Sequence, residues 1–117
     1  MTTESAQEKI RELQMAEQSL QQLLAQKQNL QMQLMEIDTA LKGLEDTTEA
    51  YKIVGNVMVL SDKTKLQEEL QSKKETTQLR IKTIDTQEKS TQDKATATQK
   101  EVMEEMKNDN KDGKQTN

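Results

Sequence analysis

The chain has 117 residues, with 17 Lys and Arg against 21 Asp and Glu, a single Tyr, and no Pro, Cys, His, Trp or Phe. Hydrophobic residues make up 31% and aromatic residues 1%, against roughly 45–50% apolar in an ordinary globular domain, so a fold built around a three-dimensional core is excluded. Excluded with it are an imidazole base, a thiolate nucleophile, an N/S ligand set for zinc and a disulfide framework, while a formal charge of -4 does not suit a nucleic-acid binder.

The first segment, from about Ser5 to Glu45, has no Pro, no Gly before Gly43, and is rich in the helix formers Gln, Leu, Glu and Lys. Leu13, Ala16, Leu20, Leu23, Lys27, Leu30, Leu34, Ile37, Leu41 and Leu44 follow one another at alternating spacings of three and four, and all but Lys27 are apolar. Only a partner helix can cover so narrow a stripe, so the spacing predicts a left-handed coiled coil. Forty residues at 1.5 Å per residue make a helix of roughly 60 Å. Lys27 sits at a core-facing position, where a charged residue fixes register at some cost in stability.

Residues 46–60 change character. Tyr51-Lys52-Ile53-Val54 and Val57-Met58-Val59-Leu60 are β-branched runs either side of Gly55-Asn56, a hairpin signal in which Gly supplies the positive φ of a II′ or I′ turn. With 55–56 as the turn, Val54 faces Val57, Ile53 faces Met58, Lys52 faces Val59 and Tyr51 faces Leu60. One face then carries Tyr51, Ile53, Met58 and Leu60, and the other Lys52, Val54, Val57 and Val59. Both faces are mainly apolar, and a lone hairpin is marginal in water. The helices' own apolar residues are committed to their seam, so hairpins from several chains joining into a shared barrel or sheet would bury both faces. Ile53, Val54, Val57, Met58, Val59 and Leu60 are therefore the candidate oligomerisation residues.

Helix-type composition returns from Ser61 to about Lys107, with Ser61 or Asp62 as the cap. The second seam begins at Leu66 and Leu70 and passes through Thr77, Ile81 and Ile84. Beyond these, the fitting positions Glu88, Thr91, Ala95, Thr98 and Val102 are mostly polar or small. The expected helices are 5–45 and 62–107, with a disordered polar tail at 108–117 and the whole forming a single domain. Met15, Met32 and Met35 lie off the seam, where exposure is expected. Ile10, Leu13, Val102, Met103 and Met106 are expected to meet where the two helices have their outer ends, incompletely buried by a weak seam. Adaptable thioethers there suit promiscuous apolar contacts, which makes these five a candidate contact surface. No acid/base pair, metal cluster or Gly-rich phosphate loop is written in the sequence, so no catalytic residue, metal or cofactor is assigned. The cluster Ile53–Leu60 is too short to span a bilayer, and the polar run Met1–Gln14 does not read as a secretory signal. The expected setting is cytoplasmic.

Three stretches go further than these general features. They are Tyr51-Lys52-x-x-Gly55-Asn56-Val57-Met58-Val59 before a capped helix, Leu66-Gln67-Glu68-Glu69-Leu70, and Leu79-Arg80-x-Lys82-Thr83-Ile84-x-x-Gln87-Glu88. Together with the Gln-rich first helix around Gln26-Lys27-Gln28, they resemble the β-type subunit of prefoldin, in its archaeal-like class with one hairpin between two long helices. The resemblance spans about residues 5–107, although Glu88 to Lys107 is poorer in large apolar residues than the family suggests. It implies a mostly α fold, an antiparallel two-helix coiled coil whose hairpin joins an intersubunit β-barrel. It further implies a hexamer of two α-type and four β-type subunits, ATP-independent capture of unfolded proteins at the ends of six coiled coils, and delivery to a group II chaperonin. The expected function is that of a non-enzymatic holdase subunit with no nucleic-acid or membrane partner. The alternative is a structural coiled-coil tether that binds no client.

Overall fold

The structure, a computed structural model, describes the backbone of residues 4–115 and the side chains through Asn108. It is mostly helical: α1 (Glu4–Glu45) and α2 (Lys63–Gln115) flank an antiparallel hairpin of β1 (Ala50–Val54) and β2 (Val57–Ser61). Its contacts divide it into a hairpin unit, residues 26–83, and a terminal unit, residues 4–25 with 84–115.

In the hairpin unit the expected seam positions of α1, Lys27, Leu30, Leu34, Ile37, Leu41 and Leu44, are withdrawn from solvent, Leu44 the most at 9% exposed. Their counterparts on α2 are Leu66, Leu70, Lys74, Thr77 and Ile81. Lys74 holds the position between Leu70 and Thr77, and its ammonium meets Asp38 of α1 at 2.9 Å. Its aliphatic stem covers the seam while its charge stays at the rim. Helix α1 stops after Glu45, where Asp46-Thr47-Thr48 offers poor helix formers. The Lys63 ammonium donates to the Glu45 carbonyl at 3.4 Å, a cation on one of the last unpaired carbonyls of α1. Helix α2 is capped by Asp62 rather than Ser61, since Ser61 ends the strand. Asp62 Oδ1 accepts from the Thr64 N–H at 3.0 Å, and the Asp62 carbonyl accepts from the Leu66 N–H at 2.9 Å.

In the terminal unit the 3-4 spacing continues through Ala6, Lys9, Leu13, Ala16, Leu20 and Leu23 on α1. On α2 it continues through Ile84, Glu88, Thr91, Ala95, Thr98, Val102 and Glu105. The sequence suggests a weak seam here, yet Ala6 and Val102 are 1% and 7% exposed. Small residues let two backbones approach closely, so a seam poor in leucine still closes. Helix α2 also runs on to Gln115, past the expected boundary at Lys107. No Pro interrupts the run, and extending an existing helix fixes one residue per added hydrogen bond, whereas starting one fixes several. Of the expected disordered tail, 116–117 lie outside the described residues, as do residues 1–3 of the polar start.

Candidate functional site

The hairpin has the expected register, Val54 opposite Val57, Ile53 opposite Met58, Lys52 opposite Val59 and Tyr51 opposite Leu60, with Ala50 opposite Ser61 added at its base. Gly55 has φ 62° and Asn56 does not have a positive φ, which selects the II′ turn over I′, because I′ needs two such residues. Ala50 is buried at the base of the hairpin, but Tyr51, Ile53, Val54, Val57, Met58, Val59 and Leu60 are all exposed, Ile53 by 69%. The six proposed oligomerisation residues thus form one two-sided apolar patch, and both long edges of a two-stranded sheet lie open beside it. Nothing else in the unit covers them. Covering these seven side chains, at about 1.5–3 kcal/mol each, is worth on the order of 10 kcal/mol.

One polar contact aims the hairpin. The Lys52 ammonium donates to both carboxylate oxygens of Glu69 on α2, at 2.9 and 3.2 Å. It therefore sets the face bearing Lys52, Val54, Val57 and Val59 towards α2. Hydrogen bonding to Lys52, then its charge, lowers the Glu69 pKa below the ordinary carboxylate value. A depressed carboxylate pKa contributes stability that is present above the unfolded-state value and lost as pH falls through the folded-state value. Following the Glu69 side-chain carboxyl carbon by NMR should therefore give a titration midpoint below that of an ordinary glutamate. Lys52→Met should return it to the ordinary range. A midpoint unmoved by Lys52→Met would remove this contact as the cause.

The second group of candidate residues lies in the terminal unit. Met103 and Met106 are exposed, by 63% and 45%, while Ile10 and Leu13 are half-buried. Val102, expected to be incompletely buried, is instead a seam residue closed off from solvent. Beside it lies a polar clasp that counting apolar residues does not reveal. The Lys9 ammonium donates to Glu105 Oε1 at 2.6 Å and lies 3.5 Å from Glu101 Oε2, and the Ser5 hydroxyl donates to the same Glu105 oxygen at 3.5 Å. Hydrogen bonding to Glu105, reinforced by the charges of Glu105 and Glu101, raises the Lys9 pKa above the ordinary lysine value. The contribution of the raised Lys9 pKa is fully present below the ordinary lysine value and lost as pH rises through the raised one, so the ammonium keeps its charge at neutral pH. The signal for it lies in the spacing: three-four steps back from Leu13 reach Lys9 and Ala6, and a three-residue step on from Val102 reaches Glu105.

Met15, Met32 and Met35 are exposed, as their off-seam positions require. Met32 and Met35 line a shallow groove with Glu36, Thr39 and Ala40 on α1. Among the described residues no acidic cluster is placed to hold a metal ion, and no helix is long and apolar enough to cross a membrane.

A family model described as prefoldin subunit matches residues 7–109. The chain is 32% identical over 111 residues to the prefoldin subunit beta of Thermoplasma volcanium, covering 92% of this chain and 90% of that protein. It is 40% identical over 81 residues to the prefoldin subunit beta of Thermococcus onnurineus, covering 67% of this chain and 70% of that one. The crystal structure of the prefoldin beta subunit from Thermococcus strain KS-1 superposes with a TM-score of 0.81 at 30% identity, over 87% of this chain and 92% of that chain.

Proposed function

Because the chain belongs to the prefoldin subunit family, as a β-type member, we propose that it works as a holdase subunit that captures unfolded proteins without ATP and passes them to a group II chaperonin. In this reading its hairpin joins those of three further β-type and two α-type subunits in a β-barrel platform. The observation that carries it is the two-sided apolar hairpin, seven exposed side chains on a sheet with two open edges. A surface of that kind is an aggregation hazard unless other chains occupy it. Membership makes the function that of a chaperone complex, and the exposed Met103 and Met106 supply the apolar contacts for clients. Holding one client with several coiled coils at once adds avidity to individually weak contacts. No Gly-rich phosphate loop stands in the sequence, which supports capture without nucleotide. The setting proposed is the cytoplasm.

Light scattering on the chain alone and mixed with an α-type partner from the same source tests the assembly. The expected result is a stable species of two α and four β chains. A dimer whose mass the second subunit leaves unchanged would overturn the platform and favour a tether.

A further inference from the structure

Composition confines the oxidation chemistry of this chain. It has no Cys, His or Trp and a single Tyr, but seven Met, and without thiols the thioether is the group a peroxide attacks. Met58 is the methionine of the hairpin, whereas Met15, Met32, Met35, Met103 and Met106 lie on the helices. Its side chain is 65% exposed and stands opposite Ile53, on the face shared with Tyr51 and Leu60. Ile, Met and Leu side chains offer no hydrogen-bond donor. The Tyr51 hydroxyl, the side-chain donor of that face, already donates to Glu49 Oε2 at 3.1 Å. An oxygen added to the Met58 sulfur therefore meets water while the face is open. Once the face is covered, its own chain has no side-chain donor there to give it.

We propose that Met58 is an oxidation site that decides whether this chain can join an assembly. The inference rests on the reading of the hairpin as a platform element and adds the regulation of that surface. The oxidant is hydrogen peroxide. The sulfur lone pair attacks one peroxide oxygen, and the S–O bond forms as the O–O bond breaks. The departing oxygen takes the proton of the transferred one and leaves as water. The electron pair lost by sulfur, now a sulfoxide, reduces the peroxide. In the free subunit the sulfoxide is solvated, and the fold does not depend on it. In a platform it is a strong acceptor carried into an apolar interface without a donor, which is costly. Free subunits are thus open to the oxidant and disabled by it, whereas assembled ones hide the sulfur. Enzymatic reduction of the sulfoxide reverses the block.

The test treats the free full-length chain with hydrogen peroxide, removes the oxidant, and only then adds an α-type partner from the same source. Peptide mass spectrometry should find one added oxygen on Met58, and circular dichroism should stay at the level of the untreated chain. Light scattering should show association weakened about ten-fold or more, as expected for a buried acceptor left without a donor. Met58→Leu, treated in the same way, should still assemble although its helical methionines are oxidised. A methionine sulfoxide reductase should restore assembly of the treated unaltered chain, whatever the leucine does to the hairpin. Peroxide added after assembly should leave Met58 unoxidised and the mass unchanged. Equal assembly of treated and untreated chains would overturn the oxidation site and leave the platform standing. So would a Met58 that takes up no oxygen in the free chain, or a block that reductase fails to lift. An untreated chain that does not assemble at all would overturn the platform itself, and the oxidation site with it.

Discussion

Val57→Lys combined with Val59→Lys is expected to convert the assembled protein into subunits of unaltered helicity. The register puts both residues on one hairpin face, with Lys52 and Val54. In the isolated chain they are 60% and 47% exposed, so two ammonium groups there meet water and leave the subunit intact. In a platform the same positions are covered. Each substitution then forfeits about 1.5–2 kcal/mol of apolar burial and adds a desolvation cost of several kcal/mol for a charge with no partner. A joint loss above about 5 kcal/mol weakens association more than a thousand-fold. At micromolar concentrations light scattering should then report subunits, while circular dichroism stays at the level of the unaltered chain. A native mass that the two lysines leave unchanged is what a tether predicts, and it would remove the hairpin from the interface.

The second large effect is expected in the terminal unit. Met103→Ser with Met106→Ser should leave the helix content and the assembled mass in place and weaken client capture at least ten-fold. Both side chains are mostly outside the seam, so the fold does not depend on them. Each contributes up to about 1.5–3 kcal/mol when covered by a client, and a loss of 1.4 kcal/mol is already a factor of ten. Val102→Ser behaves differently. It puts a hydroxyl into a closed seam and should lower the melting temperature as well as capture. Suppression of aggregation of a chemically unfolded test protein, measured beside a thermal melt, separates the two kinds of residue. If all three serines leave suppression intact, α2 is not the contact surface and the proposed site moves to Ile10 and Leu13 on α1.

The helices and the hairpin are legible in the sequence for different physical reasons. Leu13 to Leu44 repeat at the one spacing that a paired helix can bury, and Gly55-Asn56 leaves a single pairing for the strands beside it. What stays hidden is polar. Lys9, Lys74 and Glu105 occupy core-facing positions, and a rule that scores apolar residues passes over them. Their long side chains nonetheless fill a seam position with methylene groups and end in an ion pair at its edge. The clasp, and with it the burial of Val102, therefore becomes visible only when both helices are placed. The choice of Asp62 over Ser61 as the cap likewise waits on knowing where β2 ends. The extension of α2 to Gln115 was obscured by composition, since Asn, Asp and Gly after Lys107 are all weak helix formers.

The hairpin joins its two helices unequally. Asp62 alone separates β2 from α2, whereas residues 46–49 separate α1 from β1. A joint of one capped residue has no free dihedral to spare and transmits torque. A joint of four has several, and yields. If the strands are held between neighbouring subunits, as in the platform proposed above, the first turn of α2 would be the stiffer of the two attachments, its direction set by the sheet. Helix α1 enters through the longer joint, and its last turns are held to α2 by the Lys63 ammonium on the Glu45 carbonyl and by the Lys74–Asp38 pair. In that assembly a load on the helices would reach the sheet most directly through Asp62, while residues 46–49 give the other connection more freedom to yield.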